Sequence, residues 1–220
     1  HFTYVFVGDG CLMEGISHEV CSLAGTLGLG KLIVIYDDNG ISIDGEVGQW
    51  FSDNTSQRFD SYGWQVLSAD GHDHEEIEEA LEKARLDSKR PSIISCKTVI
   101  GLGAPNKEGT AATHGAPLGV EEIAEARKKL DWPHPEFVIP EAIKQAWNST
   151  KEGFAAESAW KEKLVAYEEE YPELAMELVR RIKGQLPGHF LKKADQFIRE
   201  CQQNNNTMAT RKASQNCLEA

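Results

Sequence analysis

A chain of 220 residues is long enough to bury a sizeable core and suits one or two domains. With 23 Lys and Arg against 35 Asp and Glu, its net charge of −12 argues against nucleic acid and anionic membrane as general partners. No apolar run approaches the ~20 residues of a membrane span, and no secretory signal opens the chain. Its cysteines, Cys11, Cys21, Cys96, Cys201 and Cys217, form no Cys-x-x-Cys pair. Most sit among apolar neighbours, so buried thiols in a reducing cytoplasm are expected instead of disulfides, and the sequons at Asn54, Asn148 and Asn205 then carry no meaning.

The chain opens at His1 without Met and enters a strand almost at once, as a fragment would. Residues 2–7 are a β-branched and aromatic run ended by Gly8-Asp9-Gly10, and residues 31–36 are a second, ended by Asp37-Asp38-Asn39-Gly40. Both read as strands closed by turn residues. Between them residues 14–29 read as a helix, because Leu12, Ile16, Val20, Leu23 and Leu27 recur at spacings of three and four. Parallel strands need such a crossover, almost always right-handed. Ligands of open α/β sheets bind beyond the carboxyl ends of the strands, where Asp9 and Asn39 fall. Gly8 and Gly10 let the backbone approach a ligand closely and leave N–H groups to face an anion. Asp9 and Asn39 offer hard oxygen ligands. A hard divalent ion that keeps few protein ligands and fills its shell with phosphate oxygens is most simply Mg²⁺, which implies a Mg-diphosphate.

Residues 25–31 fit the letters of a nucleotide P-loop but fail on context, since Leu32 replaces the Ser or Thr and the glycines precede a strand. Gly28 and Gly30 read as a helix C-cap and turn. A short strand at 64–67 leads to a helix with Asp73 as N-cap, Glu75 and Glu76 in its first turn, and Ile77, Leu81 and Ala84 as its inner stripe. His72 and His74 read as a solvated helix start, because no other ligand types converge on them. A third convincing strand, 92–97, follows Pro91. The loop from Gly101 to Gly119 carries one imidazole, His114, and long loops inside a compact domain are often functional. A helix over 121–130 ends before Trp132-Pro133, and Pro135 and Pro140 punctuate a link. Residues 141–203 read as charged helices with narrow apolar stripes, Trp160, Leu164, Tyr167 and Tyr171, then Leu174, Leu178 and Ile182, of the kind that pack on a neighbouring surface.

Gly8-Asp9-Gly10 followed by Asn39 resembles the signature of thiamine-diphosphate enzymes, and the full string from Gly8 to Glu19, Gly-Asp-Gly-Cys-Leu-Met-Glu-Gly-Ile-Ser-His-Glu, resembles the transketolase family. Similar strings run from 37 to 45, from 97 to 101, from Thr113 to Gly119 and from Arg211 to Asn216, end to end of the chain. The resemblance implies an α/β fold, a parallel sheet flanked by helices, followed by a mainly helical connecting segment. The implied domains are 1–138, a diphosphate-binding domain lacking its N-terminal part, 139–209, the connecting segment, and 210–220, the start of a pyrimidine-binding domain.

The implied activity is transfer of a two-carbon ketol unit from a ketose phosphate such as xylulose 5-phosphate to an aldose phosphate such as ribose 5-phosphate, in the pentose phosphate pathway. Thiamine diphosphate is the implied cofactor, with Mg²⁺, for which Ca²⁺ or Mn²⁺ can substitute. The ion would sit on Asp9, Asn39 and the Ile41 carbonyl, and the cofactor on Gly8, Asp9, Gly10, Asn39, His114 and Leu118. His114 becomes a catalytic and substrate-binding group, Arg211 a sugar-phosphate ligand, and Glu14 and Glu19 residues of a homodimer interface that link two sites. Without that resemblance, the two glutamates are explained by the dipole of their helix. In the family a Gly-rich pyrophosphate loop lies upstream and the glutamate that activates the aminopyrimidine lies downstream, so the chain alone is expected to be inactive. Two other readings stand beside this one: another thiamine-diphosphate enzyme such as deoxyxylulose-phosphate synthase, which the string from Glu14 to Glu19 disfavours, and a non-catalytic cofactor-binding fragment.

Overall fold

Alternation along the second strand decides the architecture. Ile33 and Ile35 point one way and Val34 and Tyr36 the other, and all four are apolar or aromatic, so both faces of this strand must be covered. The computed structural model describes residues 1–204 and 206–220; the sequon at Asn205 lies outside the described residues. The chain divides into two compact units, His1–Phe137 and Val138–Ala220.

In the first unit, β1 (Thr3–Gly8), β2 (Leu32–Asp38), β5 (Gln65–Asp70) and β6 (Ser92–Lys97) make one parallel sheet in the order β1-β2-β6-β5. Two short strands, β3 (Ile41–Ser42) and β4 (Gly45–Glu46), form a separate antiparallel hairpin. One face of the sheet buries Val34, Tyr36 and Ile93 with Leu12, Ala24, Phe59 and Trp64. The other buries Ile33, Ile94, Ala69 and Cys96 with Ala80 and Ala84. The second of these rests on α4 (His74–Leu86), whose N-cap Asp73 accepts from the Glu75 and Glu76 N–H groups at 2.9 and 3.3 Å. Ile77 and Leu81 pack with Ala84, as the stripe predicts.

Three expectations are corrected. The short strand expected at 64–67 is longer: β5 runs from Gln65 to Asp70 and forms the edge of the four-stranded sheet. The helix expected over 14–29 is the shorter α2 (Gly15–Thr26), and a separate helix, α1 (Asp9–Met13), precedes it, with Glu14 between them at an extended ψ of 135°. The break turns the apolar stripe outward: Leu12 is buried, yet Ile16 is 61 % and Leu23 56 % exposed, with Val20 and Leu27 like them. The sheet instead receives the small side of α2, Cys21 and Ala24, because the helix comes very close at Gly25. A Cβ at Gly25 would stand 1.8 Å from the Tyr62 carbonyl oxygen. The C-terminus of α2 follows expectation, with Gly28 at φ +60° and the Gly28 and Leu29 N–H groups returning to the Gly25 and Ala24 carbonyls.

A further helix, α3 (Thr55–Ser61), is capped by Asn54, which accepts from the Gln57 N–H at 2.9 Å, and it brings Phe59 into the core. The last helix of this unit is α5 (Val120–Lys129). In the second unit, α6 (Glu141–Trp147), α7 (Thr150–Glu170), α8 (Pro172–Ile182), α9 (Phe190–Asn204) and α10 (Thr210–Glu219) follow one another. Pairing of α7 with α8 buries Ala175, but Trp160, Leu174, Leu178 and Ile182 keep much of their surface open. Among the described residues no helix is long and apolar enough to cross a membrane.

Candidate functional site

Strand register brings the site together. Gly8 lies opposite Asp37, Asp38 opposite Lys97, and Lys97 opposite Asp70, so four strands end in one row. The segments that leave this edge carry Asp9, at the start of α1, and Asn39, Thr98 and Gly71.

Asp9 is the buried acid of the row, at 4 % exposure. Its Oδ1 accepts from the Tyr36 hydroxyl at 2.5 Å and its Oδ2 from the Gly40 N–H at 3.0 Å. Asn39 Oδ1 accepts from the Ile41 N–H at 2.9 Å, while its Nδ2 donates to Asp37 Oδ2 at 3.1 Å. The turn between β2 and β3 is therefore tied back onto Asp9, with Gly40 at φ +70°, where a side chain would be strained. Asp9, some thirty residues away in sequence, is thereby tied to the turn that carries Asn39 and Ile41. The neighbouring acids are already engaged: Thr98 donates its hydroxyl to Asp37, and Lys97 Nζ lies 3.2 Å from Asp38 Oδ1. Burial, then the hydrogen bond to Asp9 and the Asp9 charge, push the Tyr36 phenol far above its ordinary range.

The donor set suits a hard divalent ion. A carboxylate has about four lone-pair positions and an amide oxygen two, so after these hydrogen bonds Asp9 and Asn39 both retain lone pairs. Among the described residues no group of three or more His, Cys, Asp or Glu side chains could hold a metal. An ion here would lean on one carboxylate, neutral oxygens and oxygens from its ligand, as Mg²⁺ does with phosphate. The glycines agree. A Cβ on Gly8 or Gly10 would meet nothing within 4 Å, and Gly8 has an ordinary extended φ of −104°. Among the described residues nothing demands glycine at either position, whereas Gly30 is demanded by the Ser88 carbonyl, 2.1 Å from its would-be Cβ. A bare backbone facing open space beside a buried acid is what a close-lying anion needs.

His114 caps a single 3-10 turn, Ala111–Thr113, through its N–H to the Ala111 carbonyl at 3.0 Å. Its ring is exposed and has no side-chain hydrogen bond among the described residues. The loop that presents it is held throughout. Glu122 accepts from the Asn106 N–H and Nδ2 at 2.8 and 2.9 Å, Glu108 from the Gly103 N–H at 2.9 Å, Lys129 Nζ reaches Glu108 at 2.8 Å, and Lys107 Nζ donates to the Leu118 carbonyl at 2.7 Å. The Asn106 hydrogen bonds hold the Glu122 carboxyl below its usual range, and the Lys129 hydrogen bond does the same for Glu108. Leu118 is half-buried. Glu14 and Glu19 are exposed at the break before α2 and on its outer surface. Arg211 stands in the first turn of α10, in the second unit.

Sequence reasoning missed the cover over the Asp9 side of the sheet. A cavity of about 280 Å³ lies there, lined by Asp9, Tyr36, Asp38, Phe51, Asp53 and Asn54 among others. Its wall is held by Arg58, whose Nη1 bonds Asp53 Oδ2 at 2.8 Å and approaches His18 Nε2 at 3.1 Å, with its guanidinium over the Phe51 and Phe59 rings. The Arg58 Nε is buried without a partner among the described residues. Asn54-Thr55-Ser56-Gln57 was a legible cap signal for this segment; the meeting of Arg58 with His18, far away in sequence, was not.

Residues 1–187 match a family model described as transketolase, thiamine diphosphate binding domain. Transketolase 2 of Vibrio parahaemolyticus is 59 % identical over 221 aligned residues, covering 100 % of this chain and 33 % of that protein. Transketolase 1 of Escherichia coli is 56 % identical over the same extent. Among solved structures, a Pichia stipitis transketolase in complex with sedoheptulose 7-phosphate superposes with a TM-score of 0.78 at 39 % identity, covering 87 % of this chain and 29 % of that one. A Campylobacter jejuni transketolase gives 0.73 at 46 % identity, covering 79 % and 28 %. The chain thus spans about a third of the length of the curated relatives it matches.

Proposed function

The chain belongs to the transketolase family, and we propose that it builds the metal- and diphosphate-binding half of a ketol-transferring active site. The observation that carries this is the network in which Asp9, buried at the sheet edge, receives the Gly40 N–H while Asn39 receives that of Ile41, beside the bare backbone of Gly8 and Gly10. The relatives named above are transketolases, which favours ketol transfer over the synthase reading.

In this reading Asp9, Asn39 and the Ile41 carbonyl would hold Mg²⁺, and the bare backbone of Gly8 and Gly10 would face the diphosphate. When bound, thiamine diphosphate supplies the carbon nucleophile and electron sink for cleaving the bond beside a ketose carbonyl. Leu118, half-buried in the same loop as His114, would pack on the cofactor. The exposed His114 imidazole donates to the diphosphate or to the substrate oxygen on which charge develops, a contribution of roughly 10²–10⁴-fold for a positioned acid–base group. Arg211 grips the phosphate of the sugar through its planar fork of donors. The substrates are xylulose 5-phosphate and ribose 5-phosphate or their kin; a Pichia stipitis structure holds xylulose 5-phosphate.

The outward stripe of α2, flanked by Glu14 and Glu19, forms the homodimer interface that connects two sites. Residues 1–138 are the diphosphate-binding domain, 139–209 a connecting segment and 210–220 the entry to a pyrimidine-binding domain, all working in the cytoplasm. Calorimetric titration of the folded chain with thiamine diphosphate, in Mg²⁺ and in excess chelator, tests the reading. Mg²⁺-dependent heat is expected, and a folded chain that gives none overturns it.

A further inference from the structure

His72 stands where β5 turns away from β6. The edge strand β5 ends at Asp70 and the chain bends into α4, while β6 leads on toward the loop that carries His114. In the parallel ladder between the two strands the Gln65 and Gly71 N–H groups donate to the Pro91 and Lys97 carbonyls, at 2.9 and 2.8 Å. One step further, that ladder would hand the Val99 N–H to the Gly71 carbonyl. The Val99 N–H goes instead to His72 Nε2, at 2.9 Å. Gly71 permits the close approach, since a Cβ there would stand 2.3 Å from Thr98 Cγ2. On the opposite side the Thr98 N–H reaches the Asp38 carbonyl at 3.3 Å, and its hydroxyl donates to Asp37. The chain is thus fastened to both neighbouring strands at the point where it leaves the sheet.

From this fastening the route to His114 is short. Gly101 has φ +67° and lies so close to Thr113 that a Cβ would stand 2.6 Å from Thr113 Cγ2, and the Ile100 carbonyl accepts from the Gly109 N–H at 2.7 Å. Displacing Val99 therefore disturbs the turn that presents His114. We propose that His72 is a positioning residue whose neutral imidazole completes the ladder at Val99 and so sets the loop of His114 and Leu118 at the thiamine diphosphate site. The proposal rests on the reading that this loop serves the cofactor. An Nε2 that accepts leaves the single ring proton on Nδ1. An imidazolium carries N–H on both nitrogens, so acid turns the acceptor into a donor that faces another donor. Imidazole is the side chain whose charge ordinarily changes between about pH 5 and 8, a range in which carboxylates ordinarily do not titrate. The carboxylates around His72 are Asp70, which accepts from the His72 N–H, Asp73, which accepts from the Glu75 and Glu76 N–H groups, Glu76, which accepts from the Asp70 N–H, and Glu75. Across the sheet edge lie Lys97, paired with Asp38, and Asp37, bonded by Thr98; His74 opens α4.

The test compares His72→Leu, which removes the acceptor, with His72→Gln, whose Oε1 can stand in for Nε2. Two quantities are read on the full chain at about pH 8 and about pH 6, on either side of an ordinary imidazole titration. One is deuterium exchange of the Val99 N–H by NMR, corrected for the intrinsic pH dependence of exchange; the other is thiamine diphosphate affinity in Mg²⁺ by calorimetry. At the higher pH, Leu is expected to lower both Val99 protection and cofactor affinity by about three- to tenfold, the range of one net hydrogen bond, while Gln stays within about twofold of wild type. At the lower pH the wild type falls toward the Leu variant and Gln does not. All three chains keep every other histidine, so ratios between them cancel those titrations. Wild-type behaviour of Leu overturns the proposal, and so does an equal loss in Leu and Gln, which would mark a packing role. Loss of Val99 protection with unchanged cofactor affinity also overturns it, because the bond would then not serve the site. A folded wild-type chain without Mg²⁺-dependent heat overturns the cofactor reading and the positioning role together, while Val99 exchange still decides whether the imidazole holds the loop.

Discussion

Replacing Asp9 by Asn and by Ala separates the fold from the ion. The Asp9 carboxylate accepts from Tyr36 and from Gly40, so Ala strands both donors. An orphaned buried donor costs about 1–3 kcal/mol; the Tyr36 share is reduced by Asp38 at 3.4 Å, and Gly40 is part-buried, which together put Asp9→Ala near ~2–3 kcal/mol. At roughly 2–4 °C per kcal/mol for a chain of this size, the melting temperature falls by about 4–12 °C. Asn is different. Its Oδ1 can take the Gly40 N–H, its Nδ2 can donate to the Tyr36 oxygen, and the Tyr36 proton can turn to Asp38, so every group keeps a partner and the loss stays under about 1 kcal/mol. Neither variant offers the ion a negative charge. Thermal unfolding followed by circular dichroism, with thiamine diphosphate titration in Mg²⁺, reads both quantities. An Asp9→Asn chain that melts as early as Asp9→Ala refutes the hydrogen-bond argument, and one that keeps Mg²⁺-dependent binding refutes Asp9 as the anchor of the ion.

Other consequences can be measured in the same way. Gly25→Ala drives a Cβ into the Tyr62 carbonyl and should cost about 1–3 kcal/mol or more, while Gly10→Ala meets open space and should leave the melting temperature unchanged but weaken thiamine diphosphate; equal melting curves for the two would contradict the contact. Glu122 and Glu108 are held below the usual carboxylate range, so the folded chain binds their protons less readily than the unfolded chain does. Their contribution is complete above the unfolded value near ~4.3 and fades as pH falls through the lowered folded values. The melting-temperature gap between wild type and Glu122→Gln should therefore be widest at neutral pH and close in acid, and a gap that widens in acid would reverse the sign. Val20→Glu and Leu23→Glu alter exposed positions of α2, so they should leave stability within about 0.5 kcal/mol and shift sedimentation of the chain toward monomer; dimers that persist would remove α2 from the interface.

What the sequence made legible was local. The strands over β1, β2 and β6, the Asp73 cap and the Gly28 helix end follow from residues within a turn or two of one another, and the structure has them there. Asp9 and Asn39 were legible as neighbours because strand, helix and strand leave few ways to connect. The direction of the α2 stripe was not. Periodicity reveals that a helix has an apolar face without saying what covers it, and the sheet took the small face because Gly25 permits a contact with Tyr62 that no local pattern announces. Tyr36 was hidden for a related reason: within a strand it reads as core, and only parallel register sets its hydroxyl against Asp9. Arg58 meets His18 and Asp53 through three separate segments, a convergence that exists only after folding.

The many ties within the loop around His114 bear on the tempo of any reaction there. A segment fastened at Gly103, Asn106, Lys107 and Glu108 has little left to order when a ligand arrives. Freezing a free backbone costs roughly 1–2 kcal/mol per residue, and here that entropy is surrendered during folding. Any ligand that meets residues 103–108 thus finds an arm already set, so binding there should show no slow phase of loop closure and should slow only in proportion to solvent viscosity, as diffusion does.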